Sequence, residues 1–167
     1  MSKLNRFGWL IAVLLVGFVS SSYAAGNTGG IEISGAWARA TAPGQDAGSV
    51  DMTITSKRPA TLVGASSPAS KAVQLHSMTM EGGMMRMREV KAIELPAGKQ
   101  VDILKSGYHL MLVGLKAPLK EGEMVPLTLS IKVGRHRVMK IRSMAAVMSL
   151  TASGYAPRDN GSRHMKM

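Results

Sequence analysis

The stretch from His76 to Glu89 reads HSMTMEGGMMRMRE, and a shorter run from Tyr108 to Val113 reads YHLMLV. Five of the fourteen methionines lie between positions 78 and 87. The Gly-Gly pair at 82–83 divides two extended runs, and a type I′ turn needs positive φ at both of its central residues. The first stretch therefore predicts a β-hairpin that turns at 82–83.

The predicted hairpin places chemically similar side chains together. With the turn at 82–83, Met78 lies opposite Met87, and His76 lies opposite Glu89. Because side chains alternate between the two faces of a strand, one face carries a histidine and four methionines. These are His76, Met78, Met80, Met85 and Met87.

The second run offers the same pair of donor groups. His109 and Met111 are two residues apart, so on a strand they share a face that Leu110 does not. Two strand pairs, each offering an imidazole and a thioether, can converge on one ion. That soft-to-borderline donor set suits Cu(I) rather than Mg²⁺, Ca²⁺ or Mn²⁺.

The spacing of these residues resembles the copper motif of the periplasmic PCu(A)C copper chaperones. His76 is followed after ten residues by Met87, after twenty-one more by His109 and after one more by Met111. The sequence at residues 36–41, 62–68, 107–112 and 119–122 also resembles that family, and the similarity covers roughly residues 31–148. The resemblance implies a cupredoxin-like Greek-key β-barrel or sandwich that binds Cu(I) through these four residues. It also implies a role in loading the copper centre of cytochrome c oxidase.

Two positions depart from the pattern of that family. Asp51 stands where an aromatic residue is usual, and Ser56 stands where asparagine is frequent. Neither is expected to contact the motif, so these departures predict altered local packing rather than altered copper binding.

Residues 1–24 are predicted to form a secretory signal peptide. Lys3 and Arg6 precede an apolar run from Trp9 to Val19, and small residues at 22 and 24 suit cleavage after Ala24. An uncleaved anchor is the competing interpretation, but the run is shorter than the roughly 20 residues that a spanning helix needs. A lipid anchor is not expected, since no cysteine follows the run. The expected location is the periplasm.

The remaining residues predict a short lead at 25–30, one all-β domain at 31–150 and a flexible tail at 151–167. Turn signals recur about every ten residues without an amphipathic helical pattern, which favours a sandwich or barrel. Residues 72–75 are predicted as one strand before the ligand hairpin, and 101–104 as another after it. The longest strands are expected at 125–133 and 138–148.

Charge and cysteine content restrict the class of function. The net charge is +11, and loss of Lys3 and Arg6 would leave +9. For an exported protein this favours an acidic partner surface, anionic lipid headgroups or a plain solvated surface over nucleic acid. The chain has no cysteine, which excludes a blue-copper electron carrier. In an oxidising compartment, thioether ligands also cannot be lost to disulfides.

The other methionines and histidines divide into two groups. Met52, Met124, Met139, Met144 and Met148 are expected to fill the core or cover the surface without a ligand role, and His136 is expected in a solvated turn. Met78 is a candidate secondary ligand. Together with Met80, Met84 and Met85 it forms a thioether-rich lip that either shields and guides copper or merely covers the hairpin.

The tail ends His164-Met165-Lys166-Met167. His164, Met165 and Met167 are candidate secondary ligands, because some family members carry His/Met tails that bind a second copper as Cu(II). A disordered end without function is the alternative.

The sequence therefore predicts a monomeric, non-enzymatic Cu(I) metallochaperone that delivers copper to an apo oxidase subunit or to another copper chaperone. No hydrolytic or phosphate-binding constellation is evident. Two other functions stay open. One is copper sequestration for tolerance, and the other is a module whose methionine face binds a protein partner without metal.

Overall fold

A computed structural model describes residues 29–152 of the chain. The described residues form ten β-strands and no helix. The strands are β1 (Ile31–Arg39), β2 (Ala47–Ser56), β3 (Ala60–Ser66), β4 (Ser70–Glu81), β5 (Met84–Glu89), β6 (Ile93–Leu95), β7 (Gln100–Asp102), β8 (Tyr108–Leu115), β9 (Met124–Val133) and β10 (Arg137–Met148). In this part of the chain, no helix is long and apolar enough to cross a membrane.

Seven of the strands close into a barrel. Neighbouring strands run in the order β4-β8-β2-β1-β10-β9-β3, and a pairing of Ala65 with Val73 joins β3 back to β4. β1 and β10 pair in parallel, while the other neighbours in the barrel pair antiparallel. The predicted all-β barrel is confirmed.

The remaining three strands lie outside the ring. β5 extends β4 as a hairpin, β6 pairs with β3, and β7 pairs with β2. Gly82 and Gly83 take φ values of 60° and 79°, as a type I′ turn requires. Met78 pairs with Met87 and His76 with Glu89, so the predicted hairpin register is confirmed.

The barrel interior is filled by aliphatic side chains that alternate with outward-facing residues. Leu75, Leu110 and Leu112 are at most 4% exposed, and they point inward from β4 and β8. Their neighbours Gln74, His76, His109 and Met111 consequently point to the outer face of the same two strands. The apolar core fixes the facing of the ligand strands, because a slip of one residue would reverse it.

Two strands differ in extent from those expected. Residues 72–75 and the first hairpin strand are one continuous strand, β4, which at 12 residues is as long as β10. The strand expected at 101–104 ends at Asp102, because Ile103 begins a turn closed by hydrogen bonds from the Ser106 and Gly107 N–H groups. The expected solvated turn around His136 is confirmed: that residue is exposed between β9 and β10.

Candidate metal centre

Two histidines meet where β4 pairs with β8. His76 lies directly opposite His109, and Gln74 lies directly opposite Met111. Directly opposite residues of an antiparallel pair share a face, with Cβ atoms about 4.5–5.5 Å apart. The two imidazoles and the Met111 thioether therefore leave the same face of the sheet.

The hairpin adds thioethers to this face. Met78 follows His76 by two residues on β4, and Met87 lies opposite Met78 on β5. The Nε2 atom of His109 lies 3.1 Å from the Sδ atom of Met78. The sequence places Met78 only among the candidate secondary ligands, but in the structure its sulfur contacts a histidine of the predicted primary set.

An open cleft of about 530 Å³ gives solvent access to the centre. Met87, His109 and Met111 line it, together with Asp51. His76 is not among the cleft's lining residues and lies on the adjacent strand, across from His109. Three of the four predicted ligands thus share one cleft, and the fourth adjoins it through direct strand pairing.

His109 is held on both sides of its ring. Its Nδ1 atom lies 3.2 Å from the Oδ1 atom of Asp51, and the two side chains are only 12% and 6% exposed. A carboxylate only accepts hydrogen bonds, so in the neutral imidazole the proton lies on Nδ1. The lone pair of Nε2 is then directed towards Met78, which brings two donor atoms together as a soft cation requires.

Asp51 corrects one expectation. Its departure from the family's pattern was expected to leave the motif untouched, yet its carboxylate contacts a motif histidine directly. The cause is the pairing of β2 with β8: Ser49 lies opposite Met111 and Val50 opposite Leu110, so Asp51 falls beside His109. Nothing in the local sequence signals this contact, because the two residues are 58 positions apart.

Opposing effects act on the pKa of the Asp51 carboxyl. Burial, the largest effect, raises the pKa of the Asp51 carboxyl above its ordinary value, and the Asp102 charge acts in the same direction. The charge and hydrogen bond of His109 and the charge of Arg39 lower the same pKa. Asp51 is thus a desolvated carboxyl whose closest partner is a candidate metal ligand.

His76 carries an unsatisfied atom. Its Nε2 lies 3.1 Å from the amide oxygen of Gln74, which can only accept, so this ring nitrogen is the protonated one. Its Nδ1 is buried and has no hydrogen-bond partner. Buried polar atoms are nearly always paired, and an orphaned one calls for an explanation. A lone pair reserved for a metal ion supplies that explanation, so the residues present fit a bound ion.

The donor set selects among metals. No group of three or more His, Cys, Asp or Glu side chains within residues 29–152 is arranged to hold a metal ion. The donors that share this face of β4, β5 and β8 are imidazoles and thioethers, a set that favours Cu(I). The tail candidates His164, Met165 and Met167 lie outside the described residues.

The fold is shared with copper-binding domains of known structure. The copper-bound PCuAC domain from PmoF2 matches 72% of this chain and 94% of its own length, with a TM-score of 0.58 and 25% identity. Apo-DR1885 from Deinococcus radiodurans matches 88% of this chain and 97% of its own, with a TM-score of 0.53 and 29% identity. The CuI-DR1885 structure matches 68% and 75%, with a TM-score of 0.52 and 33% identity. The resemblance to the PCu(A)C family and the cupredoxin-like barrel are thereby confirmed.

Sequence comparison points to one branch of such proteins. Lipoprotein Lxx21020 of Leifsonia xyli subsp. xyli is 37% identical over 106 residues, which are 63% of this chain and 64% of that relative. The match thus spans slightly less than two thirds of the relative's length. The LpqE-like family model matches residues 31–142, the full span from β1 into β10. The chain belongs to the LpqE-like family.

Proposed function

We propose that this protein is an exported carrier of Cu(I). The ion is its cargo, held by His76, Met87, His109 and Met111, with Met78 as a further thioether beside His109. Export is supported by the predicted signal peptide at 1–24 and by the lipoprotein names of the family and of the Leifsonia relative.

One observation carries the proposal. The two motif histidines lie directly opposite each other, and each has one ring nitrogen engaged by a neighbouring side chain and the other free of a hydrogen-bonding oxygen. Partners on the second ring nitrogen are a regular feature of metal-binding histidines, because they fix the tautomer and orient the ring. The PmoF2 domain described as copper-bound supports copper as the metal, and the DR1885 structure described as CuI-bound supports its reduced state.

The accessibility of the ligands favours delivery over storage. Met87 is 52% exposed, and the cleft leaves it open to solvent. An acceptor can displace exposed thioethers one at a time, because a thiolate is a softer, charged ligand that binds Cu(I) more strongly. We therefore propose transfer to an apo acceptor, with the copper subunit of an oxidase as the candidate that the family resemblance implies.

X-ray absorption spectroscopy on the Cu(I)-loaded protein tests the binding step. A shell of nitrogen and a shell of sulfur are expected, and a spectrum with only nitrogen or oxygen scatterers contradicts the ligand set. His136→Ala serves as the control variant and should give the same two shells as the parent, since His136 is exposed in a turn remote in sequence from the motif.

A transfer assay tests the delivery step. The Cu(I)-loaded protein is mixed with an apo oxidase copper domain, the two proteins are separated, and the copper content of each is measured. Stoichiometric movement of copper to the acceptor supports delivery. Retention of copper despite a competent acceptor contradicts delivery and favours sequestration.

A further inference from the structure

The β4–β5 hairpin has two chemically distinct faces. On one face Met80 lies directly opposite Met85, two residues further out than the Met78–Met87 pair. On the other face Glu81 forms ion pairs with Arg86 at 3.4 Å and Arg88 at 3.0 Å. The thioether face is continuous with the face that carries the two motif histidines.

Space filling does not explain the outer pair. Methionine serves as an adaptable filler of irregular core gaps, and Met52, at 2% exposure, does this inside the barrel. Met80 and Met85 are 69% and 64% exposed at the far end of the hairpin. Their side chains leave apolar surface in water and fill no gap. Met84 is similarly exposed at 62%, so exposure alone does not set the pair apart; Met80 and Met85 differ from it because they lie directly opposite each other on the thioether face.

The register gives the pair the geometry of a ligand pair. Directly opposite residues have Cβ atoms about 4.5–5.5 Å apart, and each methionine side chain has three rotatable bonds. Both sulfur atoms can therefore reach one ion placed between them. Thioethers are soft, neutral donors, so such a site takes Cu(I) and discriminates against hard divalent cations.

We propose that Met80 and Met85 form a second, outer Cu(I) site at the tip of the β4–β5 hairpin. The proposal deepens the proposed function, because the outer site would receive or release the same ion as the inner centre. The Met78–Met87 pair lies between the two sites on the same face. With two thioethers and no imidazole, the outer site is the weaker and fills second.

The test follows the ε-methyl groups of the methionines by ¹³C NMR while the full-length chain is titrated with Cu(I). The first equivalent should shift the signals of Met87 and Met111, and the second should shift those of Met80 and Met85. The double variant Met80→Leu/Met85→Leu should lose the second equivalent and keep the first. Leucine preserves apolarity and size, so the hairpin is expected to fold.

Met84→Leu is the matched control. Met84 lies in the same hairpin, is 62% exposed and shares the charged face with Glu81, opposite which it lies. This variant should bind both equivalents like the parent.

The remaining outcomes are decisive. The outer site is overturned if the second equivalent fails to bind, shifts Met165 and Met167 instead, or is lost equally in Met84→Leu. If Met80 and Met85 respond while Met87 and Met111 never do, the outer site stands and the proposed inner centre fails.

Discussion

The Oδ1 atom of Asp51 lies 3.2 Å from the Nδ1 atom of His109, and both side chains are almost fully buried. This contact joins β2 to β8 at the candidate metal centre. It leaves the lone pair of Nε2, which faces the Met78 Sδ atom, available to an ion. It also adds a carboxylate beside a ligand set that is otherwise neutral. With the carboxylate ionised, one Cu(I) ion would leave the loaded centre without net charge.

The Asp51→Leu variant tests this arrangement. Loss of the acceptor should let the proton of His109 move from Nδ1 to Nε2, and ¹⁵N NMR of the metal-free protein reports the change directly. Partners that orient metal-bound histidines typically contribute 10–100-fold in metal affinity. The affinity for Cu(I), measured against a competing chelator, should fall by about that factor.

Asp102→Asn controls for charge alone. Asp102 acts electrostatically on Asp51 but has its own partners, Lys105 Nζ at 3.2 Å and the Lys105 backbone N–H. Removal of the Asp102 charge should leave the His109 tautomer unchanged. It should also lower the affinity for Cu(I) much less than Asp51→Leu does. Equal losses of affinity in the two variants, with no tautomer change in either, would assign the effect of Asp51 to charge rather than to positioning.

The two motif histidines should contribute differently to the stability of the metal-free protein. His76→Leu removes a buried nitrogen that has no partner but also loses the hydrogen bond from Nε2 to Gln74, so the free energy of unfolding should change little. His109→Leu leaves the buried Asp51 carboxyl without its imidazole partner, which should cost about 1–3 kcal/mol. Chemical denaturation measures both values.

Both histidine variants should nevertheless lose Cu(I) affinity by at least about 10–100-fold. That is the loss typical of groups that only orient a ligand, and removal of a ligand itself should cost at least as much. A His76→Leu variant that binds copper like the parent would remove His76 from the ligand set. A His109→Leu variant that is fully stable would show that Asp51 does not depend on the imidazole.

Sequence reasoning predicts the hairpin well because its determinants are local. The Gly-Gly turn at 82–83 and the alternation of faces fix which residue of β4 opposes which residue of β5. The pairing of His76 with His109 cannot be predicted locally, since it depends on β4 pairing with β8, a strand distant in sequence. The resemblance to a family supplied that juxtaposition, which local pattern alone does not give.

The contact of Asp51 with His109 lies beyond what local pattern can show. Val50-Asp51-Met52 alternates as an amphipathic strand, which suggests that Asp51 faces solvent. Asp51 instead is buried, with 4% of the whole residue exposed, although it lines the cleft. Burial of that residue follows from the packing of neighbouring strands, so the strand's own sequence does not reveal it.

The C-terminal tail yields a prediction of its own. Deletion of residues 162–167 removes His164, Met165 and Met167 but none of the residues at the β4–β8 pairing. Cu(I) affinity should therefore change little, whereas any Cu(II) bound by the full-length protein should be lost. Isothermal titration with each oxidation state makes the comparison. A collapse of Cu(I) binding on deletion would place the tail in the primary centre.

The last prediction asks whether Met111 is a ligand or a filler. Met111 is half-buried on β8, lines the cleft and shares the outer face with His109, while its neighbours Leu110 and Leu112 fill the core. Met111→Leu preserves size and apolarity, so it should cost under about 1.5 kcal/mol of stability. As a lost ligand, it should lower Cu(I) affinity by at least about 10–100-fold, the range already reached by residues that merely orient ligands.

Met139→Leu is the matched control, because Met139 is also half-buried in a strand but packs against the core on β10. Both variants should fold with similar stability in thermal unfolding. Only Met111→Leu should release Cu(I) to a chelator that the parent protein resists, because only that change removes a donor atom from the face shared by His76 and His109. Equal retention of copper by the two variants would make Met111 a packing residue, and the inner centre would then need another thioether, with Met78 the nearest to His109.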